Sequence, residues 1–309
     1  MKSVIIAVFP GQGSQTPGFL TPWLEIDGVR ERLERFSELS EVDLVAAGTE
    51  WDADAIRDTK VAQPLIVAAS LLSFDALVSA AGARPAGVAG HSVGEIAALA
   101  AAGVFSAEDG MRLVGIRGRA MAEAAAIEQT GMSAVLGGDE QVVLDLLDEL
   151  DLTHANHNGG GQIVAAGALP SLARLGEQAP RGTRVIPLQV AGAFHTHYMA
   201  PAVDTLRAAA ADVAVAAPAA TLWTNRDGST VDDGRSAVDL LVAQVASPVR
   251  WDLCMQSFAG AGATGIVELA PAGTLTGLAK RALRGIPTVA VKSPEDLEAA
   301  AALLTGGDA

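Results

Sequence analysis

The pentapeptide Gly90-His91-Ser92-Val93-Gly94 constrains this chain more than any other stretch. Ahead of it Ala86-Gly87-Val88-Ala89 is short and apolar, the texture of a buried strand, and residues 95–102 are an alanine-rich helix former that Gly103 stops. Strand, sharp turn and helix in that order place a serine at a strained bend, where the glycines leave the room a side chain would fill. The hydroxyl then projects above the sheet at the positive end of the following helix, where an oxyanion is stabilised. Ser92 is therefore a candidate nucleophile. Taken alone, the pentapeptide serves equally well as a plain turn joining a strand to a helix.

Residues 4–9 form a continuous apolar run rich in β-branched side chains, as a central parallel strand covered on both faces requires. The run ends in Pro10-Gly11-Gln12-Gly13-Ser14-Gln15, and a glycine-rich loop at a strand's carboxyl end is where open α/β sheets place ligands. It is neither a P-loop nor a dinucleotide fingerprint, and a plain turn fits it as well. Residues 61–82 are the longest apolar stretch, interrupted by Gln63, Pro64, Ser70, Ser73 and Asp75. Pro64 suits a first helical turn and Gly82 a carboxyl-terminal cap, so a buried helix is predicted there and not a membrane span. Ser106 and Asp109 give a capping-box signal for a helix running to about residue 126 that carries Arg117 and Arg119. On pattern alone both arginines read as ordinary solvated charges.

Half of the 309 residues are hydrophobic, enough for a sizeable core without staples. The single cysteine, Cys254, excludes an internal disulfide, fits a reducing compartment, and sits between Leu253 and Met255 as an inert buried thiol would. A net charge of -15 argues against nucleic acid or an acidic membrane as a partner. The first apolar run is too short for a signal-peptide core. A cytoplasmic monomer is expected.

From residue 132 to 190 the pattern becomes β-α-β-β-α-β, with strands predicted at 132–136, 152–156, 162–166 and 184–190 and helices at 139–150 and 170–178. This predicts a small ferredoxin-like subdomain, 132–190, inserted into a large α/β domain, 1–131 and 191–309, with a hydrolase-like, mostly parallel sheet. Directly after the insert come His195 and His197, on a loop from which a base can reach Ser92 across the junction. A His-x-His pair also suits a metal, but no cysteine or third histidine stands nearby as a partner, and no metal site is assigned. A structural histidine is the default for either residue taken singly.

Six motifs then occur in a fixed order: Phe9-Pro10-Gly11-Gln12-Gly13-Ser14-Gln15; Gly90-His91-Ser92-Val93-Gly94-Glu95; Arg117-Gly118 followed by Met121; Asn158 before Gly161-Gln162-Ile163-Val164; Gly192-Ala193-Phe194-His195; and Gln244 before Ser247-Pro248-Val249-Arg250-Trp251. Jointly they resemble the malonyl-CoA:acyl carrier protein transacylases, a family that includes the acyltransferase domains of fatty-acid and polyketide synthases. The likeness runs from residue 4 to about 290. It is closest to the free-standing bacterial enzymes, since little chain is left for a neighbouring synthase domain.

The resemblance implies a ping-pong transfer with no bound cofactor, coenzyme A entering as the thioester substrate. The serine matching Ser92 takes the malonyl group, and the histidine matching His195 removes its proton and later protonates the leaving thiolate. Backbone NH groups matching Gln12 and Val93 form the oxyanion hole, and the backbone carbonyl matching Gln244 orients the histidine. The arginine matching Arg117 pairs with the free malonate carboxylate, a task for a planar bidentate donor. The loop at Gly192-Ala193-Phe194-His195 resembles the malonyl-type version of this segment and not the methylmalonyl type. His197 stands where the family usually has a small residue. Acyl carrier proteins are acidic, so a chain this acidic needs a local basic patch to meet one. Lys280 and Arg281 with Arg284, on the helix after Gly273, are the candidates, against their reading as plain solvated charges. Malonyl transfer to another carrier, as in malonate decarboxylases, and serine hydrolase or thioesterase activity are the alternatives.

Overall fold

The computed structural model describes residues 3–306. Strand β1 (Ile5–Phe9) is buried along its whole length, because strands flank it on both sides and helices cover both faces. The strands β2 (Gly87–Gly90) and β9 (Gly265–Glu268) pair with it in parallel. With β7 (Thr221–Trp223) and β10 (Thr288–Ala290) they form sheet A, ordered β10-β9-β1-β2-β7. Every pairing in this sheet is parallel, so each connection is a crossover carrying helices.

The helix predicted at 61–82 is α3 (Thr59–Ala81), capped by Gly82 in the left-handed conformation. Among the described residues it is the one helix long and apolar enough to cross a membrane, yet it lies in the core, packed on α4 (Gly94–Ala101), α5 (Ala107–Ala125) and α12 (Leu297–Thr305). Its polar interruptions have tertiary partners. Ser70 Oγ donates to the Ala270 carbonyl (2.8 Å), Ser73 Oγ accepts from the Ala270 amide (3.0 Å), and Gln63 Oε1 accepts from Arg117 (2.6 Å). Asp75 pairs with Arg32 at the surface. That exposed pair is worth at most about 1 kcal/mol, whereas burying one Leu or Ile side chain contributes ~1.5–3 kcal/mol, so packing holds the helix. Pro64 falls in the second turn and not the first, because Asp58 caps the helix earlier by accepting from the Lys60 amide. The helices α1 (Val29–Ser40), α2 (Leu44–Thr49) and α8 (Ala200–Ala211) complete this layer.

Sheet B holds β3 (Thr130–Gly137), β4 (Thr153–Gly159), β5 (Gln162–Ala168) and β6 (Thr183–Pro187), in the order β6-β3-β5-β4 and antiparallel throughout. Helices α6 (Glu140–Glu149) and α7 (Leu169–Glu177) make the two crossovers, and each skips over one strand. That is the ferredoxin-like split βαβ arrangement. A fifth strand, β8 (Val249–Arg250), too short to leave a pattern in the sequence, pairs in parallel with β4 and covers its outer edge. The last expected strand, 184–190, stops at Pro187. Leu188 makes one more bond to the Met132 carbonyl (2.9 Å), the Val190 amide turns back to the Leu188 carbonyl (3.1 Å), and the chain leaves the ladder to wall a cavity.

The remaining helices, α9 (Gly234–Gln244), α10 (Trp251–Gly260) and α11 (Thr274–Ala282), follow β7, β8 and β9. The buried Glu268 carboxylate at the end of β9 accepts from the Gly273, Leu275 and Thr276 amides (2.9, 2.9 and 2.7 Å), fixing where α11 starts. That helix ends at Ala282, so Arg284 lies beyond it and not on it. Leu283 has left helical geometry, and Gly285 turns the chain at φ 89°.

Candidate active site

Ser92 sits at φ 53°, the left-handed region that an L-residue occupies only when its surroundings impose it. The glycines on either side explain how. A Cβ on Gly90 would lie 2.0 Å from the Gly94 carbonyl carbon, and one on Gly94 would lie 2.2 Å from the Phe9 carbonyl oxygen. The bend is tight because α4 starts directly against the ends of β1 and β2. The Ser92 amide donates to Asn225 Oδ1 (2.8 Å).

His195 reaches Ser92 from the loop that follows sheet B. Its Nε2 lies 2.7 Å from Ser92 Oγ, and its Nδ1 lies 2.9 Å from the Gln244 carbonyl. With the proton on Nδ1 donated to that carbonyl, Nε2 is free to accept from the serine hydroxyl. His195 is also held in the left-handed region (φ 61°), and the loop is pinned by Thr196 Oγ1 donating to the Ala193 carbonyl (2.6 Å) and by the Ala193 amide donating to Thr130 Oγ1 (2.9 Å). Burial, seconded by the nearby Arg117 charge, pushes the His195 pKa down to about 3, so the ring is neutral at rest. His197 is exposed, stacked on Tyr198 with ring centroids 4.1 Å apart, and makes no contact with Ser92. The geometry thus singles out one histidine of the pair as the partner of the serine.

Where a triad would have an aspartate, a backbone carbonyl stands. The buried carboxyl in this neighbourhood, Glu95, is turned elsewhere, accepting from the Asn225 amide (2.6 Å) and from Gln244 Nε2. Burial raises its pKa to about 8. Gln12 and Ser92 line the same cavity, of about 180 Å³, together with Asn158, Phe194, Leu275 and Leu278. Gly11 presses on the bend, since a Cβ there would stand 2.9 Å from His91 Nδ1. That contact brings the Gln12 backbone beside the serine. Neither the Gln12 nor the Val93 amide donates to another group among the described residues.

Arg117 lies behind the dyad, 1% exposed. Its Nη1 donates to Gln63 Oε1 (2.6 Å) and its Nη2 to Gln244 Oε1 (3.1 Å). Its buried Nε has no partner among the described residues, and it makes no ion pair there. Burial lowers its pKa to about 10, with the Glu95 charge opposing, which leaves it a cation at neutral pH. Arg119, by contrast, is half-exposed and donates to the Ser40 carbonyl (2.9 Å). Cys254 is buried and its thiol pKa is pushed up by burial. No cluster of three His, Cys, Asp or Glu side chains stands ready for a metal among the described residues.

Lys280, Arg281 and Arg284 are exposed. The helix bearing the first two turns its other face, through Thr274, Leu275 and Leu278, into the cavity of the dyad. Sequence reasoning missed Gln63 as a partner of Arg117 and missed Asn225 altogether. Gln63 had a signal, a polar residue inside an apolar run. Asn225 had only its place after a short strand, where α/β sheets carry site residues.

The acyl transferase domain family matches this chain over residues 6–301. The malonyl CoA-acyl carrier protein transacylase of Mycobacterium tuberculosis is 53% identical over 297 residues, 96% of this chain and 98% of that one. The crystal structure of MCAT from Mycobacterium tuberculosis superposes with a TM-score of 0.94 at 53% identity, covering 96% of this chain and 99% of that one. A malonyl-transacylase solved in complex with a type II PKS acyl-carrier protein superposes with a TM-score of 0.92 at 29% identity, covering 99% of this chain and 100% of that one.

Proposed function

This chain belongs to the acyl transferase domain family, and from that premise we propose that Ser92 and His195 carry malonyl from coenzyme A to an acyl carrier protein through a malonyl-serine intermediate. Ser92 Oγ attacks the thioester carbonyl of malonyl-CoA while His195 Nε2 takes its proton. The Gln12 and Val93 amides receive the oxyanion, and its collapse expels the coenzyme A thiolate, which takes the proton from His195. The phosphopantetheine thiol of the carrier then gives His195 its proton and attacks the ester, and Ser92 recovers the proton as it leaves. The Gln244 carbonyl holds the ring through both halves.

The observation that carries this reading is Arg117, a buried cation beside the dyad with neutral hydrogen-bond partners and one unused donor. A malonyl carboxylate supplies the missing charge, and acetyl does not. An unpaired buried charge costs roughly 3–5 kcal/mol, so the pairing selects the acyl group. It also offsets the Arg117 charge that adds to burial in holding down the basicity of His195, which ties recognition of the carboxylate to removal of the serine proton.

Coenzyme A takes part as substrate, and the residues named supply the acid-base chemistry without a cofactor. We place the reaction in the cytoplasm, in fatty-acid or polyketide synthesis, with the chain acting as a monomer. The carrier docks at Lys280, Arg281 and Arg284, the first two on the exposed side of the helix whose other face lines the cavity. Neutralising these three raises the KM for the carrier and leaves that for malonyl-CoA unchanged; equal effects on both would discard the patch.

Intact-mass spectrometry after brief mixing with malonyl-CoA tests the transfer itself. The wild type gains one malonyl group, Ser92→Ala gains none, and adding acyl carrier protein moves the group to the carrier. An adduct lost to water as fast as to carrier would make the protein a hydrolase.

A further inference from the structure

We propose that Asn225, buried just after β7, is a positioning residue that holds the nucleophile bend in its reactive shape and ties it to the support of His195. The proposal rests on the acyl transfer reading above. Asn225 is 0% exposed, and each of its four polar groups has a partner. Its side chain spans the bend, Oδ1 accepting from the Ser92 amide (2.8 Å) and Nδ2 donating to the Gly90 carbonyl (2.7 Å). Its own amide donates to Glu95 Oε1 on α4 (2.6 Å), and its carbonyl accepts from the Arg250 amide at β8 (2.8 Å).

Two consequences follow from these bonds. Ser92 stands in the left-handed region, and its amide has no acceptor other than Asn225 among the described residues. Without that acceptor the half-buried N–H loses its partner and the bend loses one of the contacts that oppose its relaxation. Next, Gln244 Nε2 lies 3.1 Å from Asn225 Oδ1 and 3.1 Å from the Ser92 carbonyl and also donates to Glu95, so the same asparagine shares with Glu95 in setting the amide plane of Gln244. Gln244 is the residue whose carbonyl holds His195 Nδ1 and whose Oε1 receives Arg117. One side chain thereby registers the nucleophile against its base, although it touches neither Ser92 Oγ nor the imidazole. It is not a catalytic residue.

The test compares Asn225→Ala and Asn225→Asp with the wild type in single-turnover acylation by malonyl-CoA, with labelling of Ser92 by a fluorophosphonate probe and a thermal melt alongside. The probe carries no carboxylate, so Arg117 plays no part in its reaction. In folded Asn225→Ala the maximal acylation rate falls ~100-fold, as misplacement of reacting groups by about 1 Å does, while KM for malonyl-CoA changes less than about threefold and probe labelling falls in parallel. Asn225→Asp reproduces both bonds of the bend only while its carboxyl is protonated, so its rate relative to wild type declines as pH rises. That decline decides the matter if the alanine variant does not fold. A folded Asn225→Ala acylated within about threefold of wild type, a change confined to KM, or a pH-independent Asn225→Asp ratio would overturn the proposal. A wild type that malonyl-CoA does not acylate would instead overturn the transfer reading.

Discussion

Every residue of β1, β2 and β9 in sheet A is buried, whereas no residue of β6 in sheet B is. The contrast follows first from position, since β1, β2 and β9 are interior strands and β6 is an edge, as is β10 of sheet A, which also has no buried residue; connectivity adds to it. Parallel strands joined by crossovers are covered on both faces, while the antiparallel sheet alternates, sending Val135 and Ile163 towards α6 and α7 and Met132, Ala134 and Val164 into the cavity. The two regions accordingly hold their halves of the dyad by different means. Sheet A fixes Ser92 chiefly by backbone contact, through glycines with no room for a methyl group, with the Asn225 side chain bridging the bend. The loop after sheet B fixes His195 by hydrogen bonds, to the Gln244 carbonyl and among Thr196, Ala193 and Thr130. Close contact excludes a side chain at Gly90 and Gly94, and hydrogen bonding makes the base depend on a few named partners.

His195→Ala lowers the acylation rate by ~10²–10⁴, whereas His197→Ala, on the outward side of the same loop, leaves it near wild type; rapid-quench kinetics would show both. On the sheet A side, Gly94→Ala drives a methyl group into the Phe9 carbonyl and costs about 3 kcal/mol of stability in denaturant unfolding. Acid sharpens the contrast next. The folded chain holds His195 far below its ordinary pKa of 6.5, so the unfolded chain binds that proton more readily and stability is lost as pH falls from 6.5 towards about 3. Measured between pH 6 and pH 4, the unfolding free energy of wild type relative to His195→Gln should decline by ~1.4 kcal/mol per pH unit. The smallest effect lies in sheet B. Gly176→Ala in α7 meets nothing within 4 Å, and it should stabilise by ~0.5–1 kcal/mol through helix propensity and a less disordered unfolded chain.

Much of this was legible in the chain because the signals are local. Glycines at 90 and 94 around a serine, between an apolar run and an alanine-rich helix, encode the bend directly. The β-α-β-β-α-β rhythm encodes sheet B. Roles of residues brought together from far apart, Arg117 behind the dyad and the Gln244 carbonyl under His195, had no such local mark and were expected through family resemblance. What stayed hidden has a physical cause in each case. Two-residue β8 is too short for any periodicity. Pro64 was placed a turn early because Asp58, whose carboxylate caps α3, lies outside the apolar stretch. Asn225 acts on Ser92 across 133 residues of sequence, and a single asparagine after a strand looks like any turn.

Arg117, a buried cation one hydrogen bond from the residue supporting His195, should choose the acyl group, and its selectivity can be measured. Single-turnover acylation of wild type and Arg117→Ala would be measured with malonyl-CoA and with acetyl-CoA. In the variant malonyl acylation should fall by ~10² or more, the acetyl rate should hold or rise, and the preference for malonyl should collapse. Equal losses for both acyl groups would contradict this, and would make Arg117 a structural support of the site and not its reader of the malonyl carboxylate.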